Sequence, residues 1–131
     1  MRVASCQCGA VTAACSGEPV RISVCHCLAC QQRSGSAFAA QVRFAAADVV
    51  TAGETAMWQR TGDEGGVGSF HFCKRCGSTV WYHFDGQPDV IAVALGAFAD
   101  PHAFGAPFYS VYEERKFDWL TVDAPGMEHF D

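Results

Sequence analysis

Short apolar segments alternate with polar positions along most of the chain, and glycine, proline and aspartate separate them. The segments are rich in valine, phenylalanine, tyrosine and threonine, so the pattern predicts a mainly β fold. The predicted strands are Val3–Ser5, Ala10–Ser16, Val20–Cys25, Ala37–Val42, Ala56–Gln59, Gly68–Phe72, Thr79–Phe84, Val90–Ala94 and Phe108–Glu113. Helix is predicted only at Ala29–Arg33 and near Ala46–Val50.

Length and hydropathy bound the organisation of the chain. A chain of 131 residues, of which 50% are hydrophobic, can bury a core without disulfide cross-links. At this length we expect one domain, over residues 1–131. No apolar run approaches the roughly 20 residues of a membrane span, and the N-terminal segment lacks the apolar region of a signal peptide. We therefore expect a cytoplasmic protein without a membrane partner.

The charge pattern argues against binding to nucleic acid. Nine basic and fourteen acidic residues give a formal net charge of −5, and the basic residues are scattered. Only Lys74-Arg75 and Arg115-Lys116 form doublets, whereas a phosphate backbone requires a clustered basic face. A small organic thiol or a protein is the better expectation for a partner.

Seven of the eight cysteines fall into three groups, within residues 6–8, 25–30 and 73–76. A disulfide framework needs a secreted context, and a bridge within Cys-x-Cys would close only a trivial loop. A redox Cys27-Leu28-Ala29-Cys30 motif is a second alternative, but it expects a βαβ setting that the pattern does not predict. The spacing favours zinc.

The two outer pairs together supply the four ligands of a closed structural zinc site. Cys6 and Cys8 would face the same side of an extended strand, because residues i and i+2 do so. Cys73 and Cys76 precede Gly77 in a knuckle whose backbone N–H groups can point at the sulfurs. We expect these four cysteines to hold one ion.

The central triple, Cys25, Cys27 and Cys30, is one ligand short of a closed site and can form an open one. It precedes a predicted helix, whose N-terminus favours thiolate. The next residues offer amide donors and one cation that suit a carboxylate-bearing ligand: Gln31, Gln32, Arg33 and Ser34. The alternative is a second structural zinc, closed by a ligand from elsewhere in the chain.

Other candidate residues carry weaker signals. His26 lies between two predicted ligands on a strand, so it should point to the opposite face and be a core histidine. His71 precedes Cys73 by two residues, and a role in supporting that ligand is conceivable. Cys15 stands alone on a predicted strand and is expected in the core.

The cysteine motifs, from Cys6 through Cys76-Gly77-Ser78, resemble those of the glutathione-dependent formaldehyde-activating enzyme family, also called the centromere-protein-V family. The resemblance implies a mainly β, Mss4-like (β-tent) fold with two zinc-thiolate sites. It places the structural zinc on Cys6, Cys8, Cys73 and Cys76, and the catalytic zinc on Cys25, Cys27 and Cys30. The founding activity is condensation of formaldehyde with glutathione to S-hydroxymethylglutathione, classed as a carbon–sulfur lyase reaction.

Two hypotheses of function follow. In the first, the chain is an enzyme acting on a thiol adduct, with glutathione as co-substrate and the zinc of the triple polarising a carbonyl. In the second, it is a zinc-stabilised binding module of the same fold, without chemistry. The fourth coordination position of the triple distinguishes them, because an exogenous thiol or water there favours an enzyme. Substrate identity and oligomeric state stay open at this point.

Overall fold

The computed structural model describes residues 1–131 and is mainly β. It has a single α-helix of seven residues, α1 (Leu28–Ser34), and three short 3-10 turns at Ala46–Asp48, Leu95–Phe98 and Glu113–Arg115. The strands are β1 (Arg2–Ser5), β2 (Thr12–Cys15), β3 (Arg21–Cys25), β4 (Ala39–Ala45), β5 (Val49–Ala52), β6 (Thr55–Thr61), β7 (Val67–Cys73), β8 (Thr79–Phe84), β9 (Val90–Ala94), β10 (Tyr109–Val111) and β11 (Glu128–His129). None of its helical segments could span a membrane.

The strands form two sheets, and the mainly β prediction is confirmed. The smaller sheet is antiparallel, in the order β1-β2-β5. The larger sheet has eight strands in the order β11-β10-β3-β4-β9-β8-β7-β6. Its neighbours are antiparallel except for β10, which runs parallel to both β3 and β11.

The prediction of helix near Ala46–Val50 is wrong over its second half. The 3-10 turn ends at Asp48, and Val49 begins a strand that pairs with β2. The β-branched side chains of Val49, Val50 and Thr51 favour the extended backbone, and the free edge of β2 supplies its hydrogen bonds. Strand β11 and the 3-10 turns after β9 and β10 have no counterpart in the predicted elements.

The main core cluster brings together side chains of both sheets. Twelve buried residues form it, among them Val11 and Cys15 of the small-sheet segment and Val42, Phe44 and Val93 of the large sheet. Phe44 also contacts the rings of Phe98 and Phe104 at centroid distances of 6.4 and 6.1 Å. Cys15 is 1% exposed, as expected for a core cysteine. Burial of this apolar area is what holds the sheets together.

A close backbone approach holds the β1–β2 turn against the β5–β6 turn. Gly53 has a φ of +94°, and a Cβ built there would lie 2.0 Å from the carbonyl oxygen of Ala10. Only glycine fits both the backbone conformation and the space. The glycine thereby fixes the position of the turn that carries the first cysteine pair.

Candidate metal centres

Four cysteine thiols from two distant segments converge at one end of the structure. Their Sγ atoms all lie within 4.8 Å of one another, and we call this group, Cys6, Cys8, Cys73 and Cys76, the four-thiol cluster. The Cys8 sulfur lies 3.7 Å from that of Cys6 and 3.6 Å from that of Cys73. Sulfurs bound at about 2.3 Å to a tetrahedral zinc ion are about 3.8 Å apart, so donor type and spacing both fit zinc.

The first pair lies in the turn between β1 and β2, as the Cys-Gln-Cys-Gly sequence between the two predicted strands indicates, and not in the extended strand that its i, i+2 spacing suggests. β1 ends at Ser5, and the chain turns over Cys6–Gly9, where Gly9 has a φ of +85°. The N–H of Val11 donates to the Cys6 sulfur at 3.2 Å. The turn, and not alternation along a strand, therefore brings both sulfurs to the same side.

The second pair forms the knuckle that the Cys-x-x-Cys-Gly pattern predicts. The N–H groups of Arg75 and Cys76 donate to the Cys73 sulfur at 3.3 and 3.4 Å. Gly77 has a φ of +81° and donates to the Cys73 carbonyl at 2.9 Å. Side-chain and backbone hydrogen bonds from Ser78 lower the pKa of the Cys76 thiol to about 5. Such donors stabilise thiolate, the form that binds a metal.

The central triple converges as a separate group. The sulfurs of Cys25, Cys27 and Cys30, which we call the three-thiol cluster, also lie within 4.8 Å of one another. Cys25 ends β3, Cys27 is the N-cap of α1, and Cys30 lies in the first turn of α1. The Cys27 sulfur accepts the N–H of Cys30 at 3.3 Å, so the same atom caps the helix and faces the cluster.

Negative charge in this cluster concentrates on Cys27. Hydrogen bonds from the thiols of Cys25 and Cys30 lower the pKa of Cys27, and the charge of Arg60 lowers it further. The same contact with Cys27 is the main cause that raises the pKa of Cys25. The expected thiolate at the helix N-terminus is thus the capping cysteine. A cation bound to all three sulfurs would displace the protons that the other two thiols still carry.

A pocket of about 340 Å³ opens beside Cys30. The helix contributes one wall, and strands β6 and β7 contribute the other. The lining residues are Ala29, Cys30, Gln32, Arg33, Trp58, Arg60 and Phe70. Trp58 is 62% exposed at the mouth of the pocket, and Arg60 makes no ion pair within the chain. The pocket therefore joins a thiol group, an apolar wall and two cations.

Arg33 is held in place by aromatic rings. Its guanidinium carbon lies 4.9 Å from the ring centroid of Phe70 and 4.6 Å from that of Tyr82. Its Nη2 atom is 4.0 Å from the Cys30 sulfur. Cation–π contact on both rings fixes the side chain, and its charge stands next to a sulfur of the three-thiol cluster.

The predicted ligand contacts of α1 divide into two kinds. Gln32 and Arg33 line the pocket. The Gln31 amide instead donates to the carbonyls of His26 and Arg115, at 2.8 and 3.0 Å. The Ser34 hydroxyl contacts the Gln31 and Phe38 carbonyls at 3.4 and 3.3 Å. The hydrogen-bond donors of Gln31 and Ser34 therefore serve the local fold.

His26 lies apart from the thiols, in agreement with the sequence analysis. It is fully buried, and its Nε2 atom is 3.0 Å from the hydroxyl of Ser110. That hydroxyl donates to Glu113 at 3.0 Å, and His129 lies 3.0 Å from the same carboxylate. His129 also contacts Asp123 at 3.0 Å. This chain of polar contacts ties the C-terminal segment to the end of β3.

His71 does not support a cysteine ligand in the way its spacing suggested. Its hydrogen bonds go to the hydroxyl of Thr55 and to the imidazole of His83. A β-bulge between His71 and Phe72 interrupts the alternation toward Cys73.

Trp58 and Arg60 are the pocket residues that sequence reasoning missed. They lie two residues apart on β6, and so on the same face of the sheet. That spacing was visible in the sequence, but nothing in it indicated that this face meets α1.

Comparisons with known proteins agree with the geometry. One crystal structure, of a Rhodobacter sphaeroides protein from a structural genomics programme, superimposes with a TM-score of 0.57 at 20% identity, covering 72% of this chain and 85% of that one. It shows the similarity of fold alone. A search of curated proteins gives no match. The family model described as glutathione-dependent formaldehyde-activating enzyme matches residues 1–115. This chain therefore belongs to the glutathione-dependent formaldehyde-activating enzyme family.

Proposed function

We propose that the chain is a zinc-dependent enzyme of the carbon–sulfur lyase type that acts on an adduct of glutathione at the three-thiol cluster. The observation that carries the proposal is that this cluster has three protein donors and adjoins a pocket with two arginines. Family membership supports a glutathione-related role. A closed structural site would need a fourth protein donor, which the four-thiol cluster has and the three-thiol cluster lacks.

Zinc is the proposed ion for both clusters, because thiolate donors at tetrahedral spacing select it over harder cations. In the three-thiol cluster it would supply Lewis acidity and a position for an exogenous thiolate. The four-thiol cluster would be structural. Seven thiolates and two zinc ions would make the net charge about −8, so an anionic ligand needs local cations.

The pocket residues supply that local positive charge. Glutathione carries two carboxylates, and Arg60 is free of internal ion pairs, so we propose that it binds one of them. Arg33 lies next to Cys30 and would offset the negative charge of the thiolates. Trp58 and Phe70 would cover the reacting atoms and exclude water from them.

The reaction that these residues would assist joins the glutathione sulfur to the carbonyl carbon of formaldehyde. Glutathione would lose its thiol proton to solvent and enter as thiolate, and the carbon–sulfur bond would form as the carbonyl π bond opens. The resulting alkoxide oxygen would take one proton from solvent to give the hydroxymethyl adduct. Positioning of the two reactants is the main contribution that the chain can make.

Calorimetry and exchange NMR test the proposal. On protein with both clusters metallated, glutathione should bind more tightly than mercaptoethanol, and labelled formaldehyde should exchange with its glutathione adduct faster than without protein. The Cys27→Ser variant is the control and should lose both effects while staying folded. No glutathione binding to fully metallated protein would reject the enzyme in favour of a zinc-stabilised binding module.

A further inference from the structure

A pair of histidines lies on the sheet face opposite the pocket. His71 on β7 and His83 on β8 are diagonal neighbours, because His71 pairs with Trp81 and His83 pairs with Ser69. Their Nε2 atoms are 3.3 Å apart, and both side chains are partly exposed. The neighbouring residues Trp58 and Phe70 point to the other face, where the pocket lies.

We propose that His71 and His83 form a binding site for a divalent late transition-metal cation, with zinc as the closest geometric match. Two imidazole nitrogens bound at about 2.0–2.1 Å to a tetrahedral zinc ion are about 3.3–3.4 Å apart. The observed Nε2 separation of 3.3 Å equals that spacing. Neutral imidazole is a ligand that zinc, copper and nickel share, whereas magnesium and calcium prefer oxygen.

The surroundings of His71 fix its ring as a ligand requires. Its Nδ1 atom lies 3.3 Å from the hydroxyl of Thr55, which can accept the Nδ1 proton and leave the Nε2 lone pair for a cation. Its ring stacks on Trp81 at a centroid distance of 3.7 Å and an interplanar angle of 7°. The ring is therefore held in orientation before any cation arrives.

The ring of His83 is positioned by the same tryptophan. The Trp81 and His83 ring centroids lie 5.9 Å apart with planes inclined at 26°. Without a cation, one ring can donate its Nε2 proton to the Nε2 lone pair of the other, so the two nitrogens form a single hydrogen bond. A cation on both nitrogens satisfies both lone pairs.

This site is chemically distinct from the two thiol clusters and does not depend on the proposed enzyme activity. It contains nitrogen donors only, and two positions of a tetrahedral ion would stay open to water or to another ligand. Thiolates bind zinc as anions, so the clusters should fill first and the imidazole pair should take up metal added afterwards.

Imidazole ¹⁵N NMR on the full-length protein, with its thiol clusters already metallated, tests the site. Added zinc should shift the signals of His71 and His83 in a saturable way. His83→Gln and His71→Gln should each weaken this binding at least about tenfold, because each removes one of two ligands. His102→Gln is the matched control, since His102 lies in an exposed loop and should leave binding unchanged.

The wild-type spectrum tests zinc binding by His71 and His83 directly, even where a variant is unstable. Signals of His71 and His83 that do not move at excess zinc would show a simple hydrogen-bonded pair and overturn the site. Equal zinc binding by wild type and a folded His83→Gln variant would overturn it as well.

Discussion

The two thiol clusters use the same ligand atom in opposite structural settings. The four-thiol cluster joins segments 65 residues apart, and two of its members are almost inaccessible: Cys6 is 4% exposed and Cys73 is 1% exposed. The three-thiol cluster lies within six consecutive residues, and Cys27 and Cys30 are partly exposed. Accessibility alone does not separate the clusters, since Cys8 is exposed and Cys25 is buried. The sequence separation does: the first cluster cross-links the fold, whereas the second joins neighbouring residues and adds little to it.

The strongest test of this difference replaces one cysteine in each cluster. Cys6→Ser should abolish soluble, folded protein, because metal binding in small zinc modules contributes on the order of 10 kcal/mol to folding. Cys27→Ser should fold and lose only the metal of its own cluster. Circular dichroism and metal analysis of both variants check this. Equal damage from the two substitutions would show that the division is wrong.

Substitution of Gly53 should disturb the backbone beside the four-thiol cluster while every cysteine stays in place. Gly53→Ala should lower the free energy of unfolding by about 2–4 kcal/mol, through strain at positive φ and a clash with the Ala10 carbonyl. Because Ala10 adjoins the Cys6–Gly9 turn, metal should become easier to extract from the four-thiol cluster. Gly86→Ala is the control, since nothing lies near its Cβ position. Denaturant unfolding and chelator competition measure both effects, and equal results for the two variants would contradict the prediction.

Removal of a pocket cation should weaken ligand binding at the three-thiol cluster and leave metal binding by the four-thiol cluster unchanged. Arg60→Ala should weaken glutathione binding about tenfold, equivalent to about 1.4 kcal/mol, with no change in stability. Arg33→Ala should weaken it too, and should also lower stability because the side chain packs on Phe70 and Tyr82. Arg115→Ala removes an exposed arginine and serves as the control. Calorimetry in low and high salt measures the affinity of each variant for glutathione. Equal affinities of Arg60→Ala and Arg115→Ala would show that Arg60 does not bind glutathione.

The smallest expected effect concerns pH and the C-terminal segment. Hydrogen bonds to Glu113 and Asp123 raise the pKa of His129, so its stabilising contribution is complete below about pH 6.5 and is lost as the pH rises through the folded value. The hydrogen bond from His129 lowers the pKa of Asp123, so that contribution is complete above about pH 4 and is lost on acidification.

Protection of the β11 amides from hydrogen exchange should therefore be greatest between about pH 4.5 and 6.5, after correction for intrinsic rates. His129→Gln should flatten the profile. The β1 amides beside the four-thiol cluster are the internal control, and a similar pH profile there would contradict a local effect.

Local spacing accounts for what the sequence predicts well. The ligand groups lie within three to six consecutive residues, so the knuckle at Cys73 and the helix that begins beside the central triple depend on short-range geometry. Prediction failed where a distant partner decides the outcome. Val49 becomes part of a strand because β2 offers a free edge, and Arg60 reaches the pocket because α1 lies across the large sheet. Neither relation leaves a periodic signal in the sequence.

The 65-residue separation within the four-thiol cluster also sets the order in which it can form during synthesis. At roughly 5–20 residues per second, Cys8 leaves the ribosome about 3–13 s before Cys73. In that interval the nascent chain presents Cys6 and Cys8 together with the central triple, and a metal ion can be captured by a mixed set of thiolates. The long-range cross-link that holds the finished fold thus requires that metal arrive late, or that early, incorrect coordination can exchange.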